Sequence, residues 1–422
     1  MLPNPEERKR LRQEKAAQRA EKQRKSLRIR LIAAAVVVVA CGGLIFGLTR
    51  GKPQPDISNT QPSQQTEPTG QTVPQPTTPP TTTIHYAAVG DLNINDATVA
   101  AGGAGYVYTD AFMDVAHLLA DADITSVNFE GNLNGEPYGS SFSAPQSMAT
   151  ALQKAGVDLV QMANSYSINR GVSGLVSSID AIRAAGMEPL GVYPSNEAFR
   201  QSKGYTICTV QGIKMAFVAF TKGMDGMALP PGSENCVNVL YSDYDSVYQE
   251  VDREKITAIL NAVHKEKPDV VIALLHWGSE FNNTISKSQE TIVELMQANG
   301  VDAIIGTHSH YVQKMTFDRE KGQFVAYSLG DFFSDAKRAG SEYSVVLDLE
   351  ITKDNRTGKT QITDFSYTPI FTVHEAEKPL RVLRIREAMA AYESGYFQKV
   401  SQETYDKMVY ALDRIEARIT GE

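Results

Sequence analysis

At 422 residues the chain is long enough for one large domain with attachments, and 42% hydrophobic residues can supply a core. The formal net charge of −8 is unevenly spread: residues 1–30 carry eleven Lys and Arg against four Glu, about +7, which leaves about −15 for the remainder. So acidic a remainder argues against nucleic acid as its partner, because phosphates would be repelled.

The basic residues 1–30 are expected to stay in the cytoplasm. Residues 31–49, LIAAAVVVVACGGLIFGLT, carry no charge. At about 1.5 Å per residue they just span a hydrocarbon core, and the Arg and Lys before them keep the N-terminus inside. The expectation is an uncleaved single-pass transmembrane anchor. A cleaved secretory signal and a lipoprotein box at Val38-Val39-Ala40-Cys41 are the alternatives. The apolar run is longer than a usual signal core, and it continues past Cys41 where a lipoprotein turns polar. All three readings put residues 50–422 outside the cytoplasm. There Cys208 and Cys236 have an oxidising compartment in which to pair, although nothing in their spacing demands it.

Residues 50–83 are dominated by Pro, Thr, Gln and Ser, which cannot bury a core, so a disordered linker is expected. Residues 84–373 change character. Apolar runs such as Ile84–Val89, Ile124–Phe129, Met215–Phe220, Val270–Leu275 and Ala303–Ile305 alternate with amphipathic stretches such as Ala111–Ala120, Val172–Ala185, Tyr248–His264 and Ser288–Asn299. That alternation predicts an α/β domain with buried sheet. Residues 374–422 are expected to form a C-terminal helical appendix, with helices over Glu387–Tyr396 and Glu403–Ile419.

In open α/β sheets, ligands collect at the carboxyl ends of strands. Six apolar runs here end in a carboxylate, amide or imidazole, often beside glycine. They are Gly90-Asp91-Leu92-Asn93, Asn128-Phe129-Glu130, Ala163-Asn164-Ser165-Tyr166, His276-Trp277-Gly278-Ser279-Glu280, Gly306-Thr307-His308-Ser309-His310 and Gly330-Asp331. Singly each is an ordinary turn or structural residue, but parallel strands would bring all six to one rim. Imidazole nitrogen with carboxylate and amide oxygen is ligand chemistry for Mn, Zn or Fe, as one or two divalent ions. On an extended segment, residues two apart share a face, so His308 and His310 are expected to point at one site, each serving one ion of a close pair. Two ions about 3.5–4 Å apart can clamp a phosphoryl group. The bland alternative is a surface loop with two incidental histidines.

Those motifs, with Tyr327-Ser328-Leu329-Gly330, resemble in order and spacing the CapA-type capsule proteins linked to bacterial poly-γ-glutamate synthesis and export. The resemblance runs from about Ile84 to Phe371. That family is related to the calcineurin-like metallophosphoesterases, so it implies a four-layer α/β/β/α sandwich. Carried over by position, it implies one metal on Asp91, Glu130 and His310. The second would lie on His276 and His308, with Glu130 as the bridging carboxylate. Asn164, Asn93 and Asp331 are possible additional ligands. Glu280 is either a partner for a histidine or a solvated charge, and Trp277 packs beside the site or in ordinary core.

The departures bear on activity. The family usually has Ala-Asn-Asn-His-x-x-Asp at the third strand end, where this chain has Ala163-Asn164-Ser165-Tyr166-Ser167-Ile168-Asn169. Gly330-Asp331 stands where Gly-Asn is usual. Tyr166, in the place of the catalytic His, has an ordinary pKa of about 10 against about 6.5, so it is poorly suited to acid–base work near neutrality. The expected function is membrane-anchored, extracytoplasmic work in synthesis or export of an anionic capsule polymer, through a partly degenerate phosphoesterase-like site. The expected partners are the polymer or capsule-synthesis proteins. The alternatives are a working metal-dependent hydrolase of a phosphoester or polymer amide, and an envelope interaction module with no metal. An acidic domain on an acidic polymer needs a metal or a basic patch such as Lys337-Arg338 to offset repulsion.

Overall fold

The computed structural model describes residues 80–336, 338–375, 378–395 and 400–421. The anchor expected at residues 31–49 lies outside them, as do Lys337 and most of the expected linker. No helix among the described residues is long and apolar enough to cross a membrane.

In chain order the first half forms β1 (Thr81–Asn93), α1 (Asp96–Ala100), α2 (Thr109–Phe112), α3 (Ala116–Asp121), β2 (Ile124–Glu130), α4 (Gln146–Ala155), β3 (Leu159–Gln161), α5 (Gly171–Ala184), β4 (Glu188–Leu190), α6 (Asn196–Ser202), β5 (Thr206–Val210) and β6 (Ile213–Thr221). The second half forms α7 (Arg253–Lys265), β7 (Val270–His276), α8 (Lys287–Ala298), β8 (Ala303–Thr307), β9 (Met315–Asp318), β10 (Gln323–Ala326), β11 (Asp331–Phe333), β12 (Tyr343–Asp354), β13 (Thr360–Val373), β14 (Arg381–Arg384), α9 (Ile385–Glu393) and α10 (Gln402–Thr420).

The strands make two sheets. The first has the order β14-β13-β12-β1-β2-β3-β4, with β11 also paired to β1; the second has the order β5-β6-β7-β8-β10-β9. Strands β1 to β4 run parallel, as do β6, β7, β8 and β10. Side-chain alternation explains why both faces of each sheet are apolar. In β6, Met215, Phe217 and Ala219 join Ile272 and Leu274 of β7 and Ile84, Tyr86 and Ala88 of β1 in a core between the sheets. The intervening Ala216, Val218 and Phe220 face outward onto Ile256, Leu260 and Val263 of α7 and Ile292 and Met296 of α8. Helices α4 and α5 cover the outer face of the first sheet with Met148, Leu152, Leu175, Ile179 and Ile182. The molecule is therefore a mixed α/β fold of two facing sheets with helices outside.

Three boundaries differ from the sequence expectation. Thr81–Thr83, placed in the linker on composition, are the first residues of β1, because their backbones pair with Thr352–Asp354 of β12. The helix expected from Tyr248 starts only at Arg253, where the Asp252 side chain accepts the Lys255 amide as N-cap. Residues 374–422 hold more than helices. β14 pairs with β13, and Met408, Ala411, Ile415 and Ile419 of α10 pack into the core between the sheets. The last helix is thus part of the main core. Cys208 and Cys236 are both free thiols.

Candidate metal centre

The carboxyl ends of β1, β2, β7 and β8 meet with the start of β11. At Gly90 the register between β1 and β2 slips by one residue, and Asp91 donates its amide to the Gly330 carbonyl at 3.0 Å. A Cβ on Gly90 would collide with that carbonyl oxygen, so glycine is needed for the approach that brings Asp91 beside Asp331. Asp91 is fully buried; its Oδ1 accepts from Asn128 Nδ2 at 2.6 Å and its Oδ2 from the His308 amide at 2.9 Å. The same Asn128 amide donates to Glu130 Oε1 at 3.1 Å. His276 Nδ1 lies 3.3 Å from that Glu130 oxygen and 3.1 Å from Thr307 Oγ1. Its Nε2 lies 3.1 Å from the Ser165 hydroxyl. His310 Nδ1 pairs with Asp331 Oδ1 at 2.8 Å.

Two trios of possible ligands close here: Asp91, Glu130 and His276, and Asp91, His310 and Asp331, each with its ligand atoms within 4.8 Å of one another. The allocation implied by the resemblance puts Asp91, Glu130 and His310 together and Glu130 with His276 and His308; the trios include Asp331 in addition. His308 belongs to neither trio. It is buried, its ring is 4.5 Å from that of His276, and its Nε2 has no hydrogen-bond partner. An imidazole nitrogen buried without a partner is costly unless something binds it. Carboxylate oxygens and imidazoles around such an orphan are a donor set that fits a divalent ion.

His308 and His310 do not lie on an extended segment, as the two-residue spacing suggested. β8 stops at Thr307, and the two residues take φ of +91° and +60°. Left-handed backbone at a non-glycine residue costs on the order of 1–3 kcal/mol and persists where the surroundings enforce it. The turn sends His308 toward His276 and His310 toward Asp331. Phe281 holds the second ring in place: it stacks on His310 with centroids 4.7 Å apart and donates its own amide to the Ser309 carbonyl at 2.9 Å. The Arg338 guanidinium sits 4.5 Å from the centre of the same Phe281 ring.

The other expected residues fall into place around this cluster. Asn164 is buried, with Nδ2 donating to Asn128 Oδ1 and the Phe129 carbonyl and Oδ1 accepting the Tyr166 amide. It props Asn128, with both hydrogens of its Nδ2 used. Asn93 has a buried Nδ2 without a partner. Glu280 is exposed, and its charge is felt at His310 and Glu130. Trp277 is core, donating to the Tyr327 carbonyl at 2.9 Å and packing among the outer residues of the second sheet. The Tyr166 ring stacks on Phe142 with centroids 4.4 Å apart.

Burial sets the electrostatics. It pushes the Asp91 carboxyl up to about 6, helped by the Asp331 charge, and holds Glu130 well above the ordinary range, helped by Asp91. It keeps His276 and His308 well below the usual imidazole range, which favours the neutral ring that a metal ligand requires. At His310 burial opposes the charge, but Asp331 overrides it and lifts the ring to about 9. Burial, then the Glu130 charge, pushes the Tyr166 phenol up from its ordinary value.

The sequence reading gave no role to Asn128, Thr307, Phe281 or Lys222. Asn128 carried a signal, since it sits two residues before Glu130 on the same strand face. Lys222 follows β6, donates to the Gly278 carbonyl at 3.0 Å, and its charge is felt at both His276 and His308. Phe281 lies far along a loop and carried no signal at all.

Residues 85–336, more than half of the chain, match the family described as bacterial capsule synthesis protein PGA_cap. The chain is 27% identical over 258 residues to the capsule biosynthesis protein CapA of Bacillus anthracis, covering 58% of each chain. It is 25% identical over 229 residues to the PGA biosynthesis protein CapA of Bacillus subtilis, covering 53% of each. The match thus spans less than two thirds of the length of these relatives. Among solved structures, the calcineurin-like phosphoesterase YfkN of Bacillus subtilis is similar with a TM-score of 0.44 and 16% identity, covering 79% of this chain and 100% of that one. A phosphatase from Mycoplasma pneumoniae is similar with a TM-score of 0.40 and 13% identity, covering 68% and 94%. The match to the family model, carried by a stretch that includes every strand end at the buried cluster, makes this chain a member of the bacterial capsule synthesis protein family.

Proposed function

We propose that the chain is a membrane-tethered, extracytoplasmic component of anionic-polymer synthesis or export, acting on a poly-γ-glutamate-like chain. Its buried metal centre engages the polymer or a partner far faster than it cleaves any bond. Family membership supports the polymer assignment, and the uncharged run at residues 31–49 supports the tether. A divalent ion bound at Asp91, Glu130, His276, His308, His310 and Asp331 would supply Lewis-acid attraction for an anionic group. The protein's own groups do the rest. Asn128 orients Asp91 and Glu130, Thr307 and Ser165 orient the His276 ring, and Phe281 with Asp331 orients His310.

One observation carries the weak-catalysis reading. At the third strand end, Ser165 offers a hydroxyl to His276, and Tyr166 lies flat on Phe142 with a phenol that stays protonated near neutrality. A positioned general acid or base is worth roughly 10²–10⁴-fold in rate, and this strand end supplies none. The test is turnover of bis-p-nitrophenyl phosphate by the manganese-loaded protein and by the double variant Ser165→Asn with Tyr166→His. The expected outcome is a slow native rate and a gain toward about 10²-fold or more in the double variant. Fast metal-dependent turnover by the unmodified protein, lost in His308→Ala, would replace this reading with a working hydrolase.

A further inference from the structure

We infer that Lys222 and Arg338 are the residues that select an acidic polymer, each holding one pendant carboxylate on its own flank of the buried cluster. The inference rests on the polymer reading above and assigns the groups that recognise the chain. In the second sheet the order β6-β7-β8 runs along one rim, and Lys222 follows β6 there. Thr221 and His276 are register partners, and the Lys222 amide donates to the His276 carbonyl at 2.8 Å. The Lys222 Nζ donates to the Gly278 carbonyl at 3.0 Å and stands 4.7 Å from the centre of the Tyr248 ring. Arg338 lies on the other flank, in the segment after β11, with its guanidinium over Phe281, the ring that stacks on His310. The rim thus runs from Lys222 through His276, His308, His310 and Phe281 to Arg338, with a cation at either end.

Among the described residues no carboxylate closes an ion pair with either cation; a carbonyl and a ring hold Lys222, and a ring holds Arg338. The acidic groups whose charge reaches Lys222 are Glu280 and Asp225, and both are exposed. The opposite rim is built differently. There Lys353 Nζ lies 2.9 Å from both oxygens of Asp269, and Lys214 pairs with Glu266. A half-buried ammonium without a counter-anion is costly, and Lys222 has given only one of its three hydrogens to an acceptor. In a domain this acidic, two unmatched cations flanking one cluster are where an extended acidic chain can approach. The two are unequal as binding groups. Lys222 is half-buried and fixed from two sides, whereas Arg338 is exposed and lies on one ring, so Lys222 contributes more.

The experiment is binding of a fluorescein-labelled γ-linked glutamate decamer to the manganese-loaded full chain, read by fluorescence anisotropy across a salt series. The γ-linked glutamine decamer is the uncharged control. The acidic decamer is expected to bind, more weakly as salt rises, and the uncharged one to bind far less. Lys222→Met keeps the apolar stem on Tyr248 and removes the charge. It should raise Kd roughly 10-fold or more, as loss of a half-buried charged hydrogen bond does, and flatten the salt dependence. Arg338→Met should raise Kd about 2- to 5-fold, as for an exposed charge. Lys222→Arg should keep most of the affinity. Lys321→Met, in the turn before β10 at the opposite rim, should keep all of it. Manganese content by mass spectrometry should be native in every variant. Should Lys222→Met not fold, Lys222→Gln reads the same loss with an amide in place to donate to Gly278. Native affinity in Lys222→Met, equal binding of the uncharged decamer, a loss that Lys222→Arg shares in full, or a loss that follows manganese content would overturn the assignment and leave the family fold and site standing. Native affinity in Arg338→Met would strike Arg338 from the pair. No binding of the acidic decamer by the native protein would remove the polymer reading itself, and this inference with it.

Discussion

The two ends of the parallel strands carry the same residue type to opposite effect. At the amino ends, four aspartates stand immediately before β2, β3, β7 and β8. Each forms a reciprocal clamp with one residue of the neighbouring strand. Asp123 accepts the His85 amide and donates to the His85 carbonyl, both at 2.9 Å. Asp158 does the same with Thr125, Asp269 with Lys214, and Asp302 with Val271. At the carboxyl ends, Asp91, Glu130 and Asp331 crowd together with three histidines, and one imidazole nitrogen is left with nothing. An aspartate at a strand end is structural where it closes a clamp with the neighbouring strand's backbone. It becomes a candidate ligand where the fold crowds it with other carboxylates and imidazoles.

That contrast is easiest to break with one substitution at each rim. Asp91→Asn should weaken manganese binding by more than the roughly 10–100-fold that outer partners carry, with the fold retained. Calorimetric titration checks the affinity, and undiminished binding would place the ion elsewhere. Asp302→Ala at the opposite rim should destabilise the fold by about 1–3 kcal/mol, because it strands the Val271 amide. Urea unfolding measures that loss, and manganese stoichiometry should not change. A third variant sharpens the metal rim alone. Phe281→Ala removes the ring stacked on His310 and should lower manganese affinity about 10-fold, while Phe281→Tyr retains it. Equal affinity in Phe281→Ala would mean that Asp331 orients the imidazole unaided.

The smallest expected effect is a pH dependence at the amino rim. Burial lifts the Asp302 carboxyl to about 6, against an opposing hydrogen bond from the Val271 amide. With the folded value above the unfolded one, the folded state binds the extra proton. Its contribution to stability is therefore complete below about 4 and is lost as pH rises through about 6. The melting temperature of Asp302→Asn minus that of the native protein should accordingly rise between those values. A flat difference would mean that the Asp302 carboxyl keeps its ordinary value in the fold.

Much of this was legible beforehand. β6, β7 and β8 are near-continuous apolar runs separated by amphipathic stretches, so the strands, their two buried faces and their polar endings followed from composition and spacing. What failed was whatever depended on backbone departures from regular structure. The spacing of His308 and His310 suggested one face of an extended segment, whereas a left-handed turn after Thr307 is what brings both to the cluster, His308 beside His276 and His310 beside Asp331. The place of Asp331 beside Asp91 was not legible, because nothing in a linear reading says that β11 lies against β1. The amino-rim aspartates each precede an apolar run in plain sight, yet their significance is a pairing with residues up to 55 positions away.

The sequence by itself determined which residues could build a buried sheet, where its strands end in ligand chemistry, and that Ser165 and Tyr166 stand at the third strand end. These are local properties, set by side-chain period and by the chemistry of individual residues. Only the tertiary structure decided which carboxylates stand side by side, which imidazole nitrogen is left without a partner and which ring holds another in place. Those outcomes depend on strand order and on one-residue slips such as the one at Gly90, which sets Asp91 beside Asn128 and Asp331.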